Sequence, residues 1–75
     1  MIFTASGVSI RPTTHFEEQA KTRQLNRGVI LGCVAALAPR VMQYQGCRLA
    51  LDCGHVGMPV VKIEPGHIEV LTVLA

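Results

Sequence analysis

One stretch near the middle of the chain constrains the fold more than any other: the uncharged run VILGCVAALA, residues 29–38. As a helix this run is apolar on every side, so protein must cover most of its surface. A run this short cannot cross a bilayer, which takes about 20 apolar residues. The run therefore predicts a helix that packs on its own sheet on one side and requires cover on the other.

The helix is predicted to begin well before this run. Thr14, followed three residues later by Glu17, has the spacing of a capping box, and Glu17 stands four residues before Lys21 as a surface ion pair. Pro39 lacks an N–H and disfavours a helical conformation in the residue before it, so the helix is expected to end at Ala38. The sequence thus predicts one continuous helix over residues 14–38, with a polar first half.

The remaining segments predict strands. Apolar residues around Ser6-Gly7 suit an N-terminal strand or short hairpin, and turn signals such as Pro65-Gly66 divide the chain after Pro39 into three segments. Alternating apolar residues predict the strands there: Gly46 to Cys53, Met58 to Glu64 and His67 to Leu74. The predicted fold is one small α+β domain over residues 1–75: N-terminal strand or hairpin, one long helix, and a three-stranded antiparallel meander packed on that helix.

The last predicted strand is apolar on both sides. Alternation places Ile68, Val70, Thr72 and Leu74 on one face and Glu69, Leu71 and Val73 on the other. Beyond Glu69 both faces are therefore largely apolar, and the strand is expected to need cover on both sides.

The cysteines and the N-terminus bear on the compartment. Cys33, Cys47 and Cys53 are odd in number and lack the dense spacing of a disulfide framework, which predicts free, reduced thiols that pack as small apolar residues. The opening segment has neither the basic start nor the apolar core of an export signal. We therefore expect a cytoplasmic protein.

Enzymatic and metal-dependent functions find little support. The chain has no nucleophile elbow, phosphate loop or dinucleotide fingerprint, which predicts a non-enzyme with no catalytic residue and no cofactor. Cys47 and Cys53 on one strand would lie roughly 20 Å apart, too far to share a zinc ion. A small zinc-binding domain is kept as a minor alternative, with four candidate ligands: Cys47, Cys53, His55 and His67.

Nucleic-acid binding is the main alternative, because the charge is polarised along the chain. Residues 1–48 hold six basic and two acidic side chains, whereas residues 49–75 hold one basic and three acidic ones. A sequence-tolerant binder would neutralise phosphates with such residues. The candidates are Arg11, Lys21, Arg23, Arg27, Arg40 and Arg48.

Protein binding is the primary prediction. Charged residues make up 16% of the chain. An ordinary domain has roughly 25%, so part of the apolar surface is expected to face another protein. We expect a homodimer that also binds a protein partner as an inhibitor, adaptor or regulatory subunit, and no membrane partner.

The self-association surface is predicted from small residues spaced by four and their neighbours: Gly28, Val29, Gly32, Cys33 and Ala36. The surface for the partner is predicted at Lys21, Arg23, Gln24, Arg27 and Tyr44.

Overall fold

Two helices lie on one face of a five-stranded mixed sheet in the computed structural model, which describes residues 3–5 and 7–74. The α+β class is as predicted. Short 3-10 turns follow the second helix, at Met42–Tyr44, and precede the fourth strand, at Gly54–Val56. The elements in chain order are β1 Phe3–Ala5, β2 Val8–Pro12, α1 Thr14–Thr22, α2 Arg27–Val41, β3 Arg48–Ala50, β4 Met58–Glu64 and β5 His67–Leu74.

The strands are arranged in the order β1-β2-β5-β4-β3. β1 and β2 form the short N-terminal hairpin, and β3, β4 and β5 are antiparallel neighbours. However, β2 also pairs with β5 in parallel, with Ile10 opposite Ile68. The predicted meander is therefore only part of a larger mixed sheet. Local periodicity did not reveal this pairing, because it joins segments from opposite ends of the chain.

The predicted long helix is broken in two. α1 ends at Thr22, Gln24 adopts a left-handed conformation with φ of 54°, and Asn26 caps α2 by accepting a hydrogen bond from the Val29 N–H. Asparagine is a preferred N-cap residue, and this was the sequence signal for the break. The break lets α1 pack on β5 while α2 crosses β1, β2 and β4.

The helix begins at Thr14, as predicted, but its N-cap and its other end differ from the prediction. The N-cap of α1 is Thr13, whose hydroxyl accepts from the Phe16 N–H and contacts the Val70 carbonyl oxygen at 2.9 Å. α2 continues through Pro39 to Val41. Pro39 cannot donate the hydrogen bond that the carbonyl of residue 35 would accept, so the helix continues beyond it against this loss, with Val41 of the last turn buried in the core.

The hydrophobic core fills the space between the helices and one side of the sheet, here called the inner face. Phe16 is the largest fully buried side chain, and burial of such residues supplies the main driving force for folding. The core comprises Ile10, Phe16, Ile30, Leu31, Val34, Ala38, Val41, Leu51, Val61, Ile63, Ile68, Val70 and Val73.

A β-bulge in β5 overturns the predicted alternation of that strand. Val61 lies opposite Val70, but Val60 lies opposite Thr72, so Leu71 is an extra residue. The bulge turns Val73 into the core, where it is 2% exposed, and leaves Leu74 exposed. Gly57 packs against this end with φ of 116°, and a Cβ there would lie 2.8 Å from Val73 Cγ1. The position therefore requires glycine.

The prediction of free thiols is confirmed for Cys47 and wrong for Cys33 and Cys53. The expected strand from Gly46 to Cys53 is reduced to β3, and Cys47 is exposed rather than packed in the core. Cys53 forms a disulfide bond with Cys33 of α2, with the two Cα atoms 6.1 Å apart. The chain leaves the sheet after Ala50, which brings Cys53 beside the helix. Local sequence spacing does not reveal such an approach.

Candidate functional site

The exposed side of α2 carries no charged residue between Arg27 and Arg40. Most surface helices present charged side chains to solvent, whereas this one presents glycine, alanine, proline and a half-exposed Val29. We call this surface the α2 face; it consists of Gly28, Val29, Gly32, Ala36 and Pro39. It contains four of the five residues predicted for self-association. The fifth, Cys33, is half-buried at its border and occupied in the disulfide.

The glycines of the α2 face are not required by the fold. A Cβ added at Gly28 or at Gly32 would meet no atom within 4 Å, and neither residue has a positive φ. Glycine nevertheless destabilises a helix interior by about 1 kcal/mol relative to alanine. The result is a flat surface that a second protein can approach closely. No helix of the described residues, α2 included, is long and apolar enough to span a membrane.

The structure separates the residues predicted to contact a partner. Lys21, Arg23, Gln24 and Arg27 cluster at the junction of the two helices. Tyr44 is 47% exposed and lies beyond the other end of α2. At 1.5 Å per residue, the length of α2 puts Tyr44 roughly 20 Å from that junction. Arg23 is exposed, but its Nη1 donates a hydrogen bond of 3.1 Å to the Val73 carbonyl oxygen.

Arg27 forms a bidentate ion pair with Glu17, which ties α2 to α1. Its Nε and Nη2 donate to the two carboxylate oxygens, the second at 2.7 Å. The hydrogen bond from Arg27, and then its charge, lower the pKa of Glu17 against the opposing effect of burial, and the same hydrogen bond raises the pKa of Arg27. Glu17 thus pairs with Arg27 rather than with the expected Lys21.

The six basic residues proposed for nucleic-acid binding fall on two layers of the molecule. Lys21, Arg23, Arg27 and Arg40 belong to the helix layer and its junction. Arg11 and Arg48 are exposed on the side of the sheet that faces away from the helices, here called the outer face. The described residues therefore do not gather these six side chains into one patch, and nucleic-acid binding stays a prediction.

The four candidate zinc ligands are also dispersed. The sulfur of Cys53 is bonded to Cys33, and His55 is exposed in the 3-10 turn before β4. Within residues 3–5 and 7–74, no three side chains of histidine, cysteine, aspartate or glutamate come close enough to share a metal ion. No pocket was found on this part of the chain either.

Gln19 is an important residue that sequence reasoning missed. β2 ends opposite Val70, so among the described residues no strand lies beside the edge of β5 beyond that point. The Gln19 side chain takes the place of the missing strand: its Nε2 donates to the Val73 carbonyl oxygen at 3.0 Å, and its Oε1 accepts from the Val73 N–H at 2.8 Å. The Thr72 hydroxyl also contacts Oε1, at 3.0 Å. No pattern in the sequence indicated this role, because the bulge at Leu71 determines which backbone groups face α1.

The outer face is the second large surface, since both helices pack on the inner face. Along β4, inward residues 59, 61 and 63 are buried and the residues between them point outward. These outward residues lie opposite residues of β5 in four cross-strand pairs: Met58 with Leu74, Val60 with Thr72, Lys62 with Glu69, and Glu64 with His67. Met58 is 41% exposed and Leu74 is 49% exposed, so one end of this face is apolar and the other is charged.

Comparison with known proteins gives no relative from which a role could be transferred. No protein-family model, no curated protein and no solved structure matches the chain.

Proposed function

We propose that this chain is a small protein-binding module that works as a homodimer and acts by covering part of a partner's surface. The observation that supports this proposal is the α2 face, an exposed helix surface without a charged residue from Gly28 to Pro39. Charged residues are depleted at the cores of protein interfaces, and desolvating an uncharged surface costs little. The proposed activity is therefore binding, as an inhibitor, adaptor or regulatory subunit.

The residues that flank the α2 face are of the types found at the rim of a protein interface. Lys21 and Gln24 are exposed beyond one end of α2, and Tyr44 is exposed beyond the other. Protein interfaces commonly have an apolar centre and a polar rim, with tyrosine enriched. In this proposal the α2 face is the centre of the contact, and these three side chains form part of its rim.

A pair of substitutions at Gly32 tests this proposal. Because a Cβ at this position meets no atom within 4 Å, both Gly32→Glu and the control Gly32→Ala are expected to fold. We expect tagged wild-type protein and the Ala variant to retain the same partner from an extract, and the Glu variant to lose it, because a carboxylate would be desolvated in the contact. Equal retention by the Glu and Ala variants would contradict a contact through α2.

Light scattering across a range of concentrations tests the dimer separately, with twice 8.1 kDa as the expected mass. Absorbance at 260 nm, recorded in the same run, tests the rival function. Co-purifying nucleic acid, with no retained protein, would favour the basic residues over the α2 face.

A further inference from the structure

We propose that the second copy of the chain binds the outer face of the sheet, with its two-fold axis parallel to β4 and β5 and midway between them. This inference rests on the homodimer of the proposed function and identifies the surface that forms it. It leaves the α2 face, on the other side of the molecule, free for the protein partner.

An antiparallel strand pair has a symmetry that allows its face to be complementary to itself. Consider a two-fold axis that is parallel to two such strands, midway between them and above the face that they share. A half-turn about this axis places each residue of one strand over its own cross-strand partner in the other copy. A face of this kind is therefore complementary to itself when each cross-strand pair consists of mutually compatible side chains. Paired sheets stack about 10 Å apart and within about 30° of alignment, so this correspondence is closest near the axis.

The outward pairs of β4 and β5 meet this condition. Lys62 lies opposite Glu69 near the middle of the strands, so the rotation brings each ammonium over a carboxylate of the other copy. Opposite charges arranged in this way favour one register and exclude others. Glu64 comes over His67, which can donate a hydrogen bond to it.

The other end of the same face supplies apolar contact. Met58 and Leu74 are cross-strand partners, so the rotation places one over the other, and Val60 lies beside them on β4. Met58 and Leu74 are both exposed in the single chain, so their burial would gain hydrophobic free energy. Arg11 and Arg48 come opposite one another at the lateral edges, where solvent screens their repulsion.

The area of the sheet indicates how strong such a dimer should be. From strand spacing and rise per residue, the four strands that the rotation superposes, β2, β5, β4 and β3, cover roughly 360 Å² in projection, less than half of the ~800 Å² that each partner buries in a standard interface. We therefore expect a dimer that dissociates on dilution. The α2 face is a single helix stripe and offers less area.

Reversal of the central charges tests the proposal. In Lys62→Glu, the carboxylates of residues 62 and 69 in one copy come over the same two carboxylates of the other copy. In Glu69→Lys, the two ammonium groups of one copy come over the two ammonium groups of the other. We expect each single variant to raise the dimer dissociation constant roughly tenfold or more in light scattering and sedimentation. An equimolar mixture of the two variants should dimerise about as well as the wild type, because each charge then meets its opposite in the other chain.

The mixture is the decisive measurement. Each variant also disturbs its own cross-strand pair, and Lys62→Glu removes the contact of 3.1 Å between Lys62 and Glu64. A variant that merely folds poorly cannot be rescued by another damaged chain, so dimers that form only on mixing require contact between the two outer faces. The matched control is Glu18→Lys, which makes the same charge change as Glu69→Lys at an exposed position of α1 and should leave the dimer unchanged.

Three results would overturn the inference, and they differ in what they say of the proposed function. Single variants that stay monomeric when mixed would show that the substitutions act on folding. Single variants that dimerise like the wild type would exclude the outer face. Loss of that dimer in Gly32→Glu would then assign the second copy to α2, which keeps the homodimer of the proposed function but removes α2 as the site for the protein partner. A wild-type chain that is monomeric at every concentration would remove the homodimer from both proposals, while partner capture through α2 would still be tested by the Gly32 pair.

Discussion

A single side chain, Gln19, satisfies backbone groups that the sheet leaves without a partner. Its amide pairs with both the N–H and the C=O of Val73, as an adjacent strand would. The Val73 C=O also accepts a hydrogen bond from Arg23, so loss of the Gln19 amide leaves the Val73 N–H without its partner, and an unpaired buried backbone group costs about 1–3 kcal/mol. We therefore expect Gln19→Ala to lower the free energy of unfolding by about 2 kcal/mol in urea denaturation.

The exposed Gln45 provides the control for this prediction. Gln45→Ala removes the same side chain from the surface and should change the free energy of unfolding by less than about 0.5 kcal/mol. Equal effects at the two positions would contradict the role of Gln19.

The ion pair of Glu17 with Arg27 makes stability depend on pH. The folded state lowers the pKa of Glu17 below its ordinary value, so the stabilising effect is complete above that value and is lost as the pH falls through the folded pKa. Both side chains are about one-third exposed. Solvent screening therefore limits the expected cost of Glu17→Gln near pH 7 to about 0.5–1 kcal/mol. The difference from wild type should disappear in acid.

Urea denaturation between pH 3 and pH 7 would measure this difference, with Glu18→Gln as the control. Glu18 is exposed one position along α1, and among the described residues the two hydrogen bonds of the Arg27 side chain go to Glu17 instead. A cost for Glu17→Gln that stayed constant down to pH 3 would exclude the ion pair as its source.

Among the elements, α2 and the segment after β3 are joined by the disulfide between Cys33 and Cys53. Outside this bond, the segment's hydrogen bonds are internal or reach β4: Cys53 N–H donates to the Gly57 carbonyl oxygen, and Leu51 N–H to that of Pro59. The two cysteines are separated by 20 positions in the sequence. Closing a loop of this length restricts the unfolded chain and is worth about 3 kcal/mol in the chain-entropy model. The bond therefore holds this segment to the helix.

We expect the double variant Cys33→Ala, Cys53→Ala to lose about 3 kcal/mol of unfolding free energy. Amide hydrogen exchange should accelerate in residues 52–57, while β4 and β5 keep their protection. Cys47→Ala is the matched control, since Cys47 is free and exposed. Equal stability of the double variant and this control would mean that the disulfide contributes nothing.

The whole molecule has two candidate binding surfaces because its helices occupy only one side of the sheet. The α2 face belongs to the helix layer, and the outer face lies on the far side of a body 18 Å across in its shortest dimension. A dimer formed by the outer faces would bury the two sheets together and carry an α2 face on each outer side. Such a dimer could bind two partner molecules, which gives the charge-reversal and Gly32 experiments independent readouts.

Local patterns were sufficient to predict several elements. β4 and β5 have the bounds expected from alternation and the Pro65-Gly66 turn, because a strand's period appears in consecutive residues. The spacing of Gly28, Gly32 and Ala36 also predicted a stripe opposite the buried side of the helix, and all three are exposed. The break between the helices, by contrast, was not predicted, although Asn26 is of a residue type preferred at an N-cap.

The α+β class, the apolar helix and the last two strands follow from the order of residues, since hydrophobic periodicity and turn chemistry act over a few neighbours. Long-range packing set the parallel pairing of β2 with β5, the bulge at Leu71 and the bond between Cys33 and Cys53. Each of these brings together groups distant in the chain, and their partners are chosen by how the core fills, which no local pattern records. The same packing leaves the α2 face and the outer face uncovered, and with them the two surfaces through which we propose the protein acts.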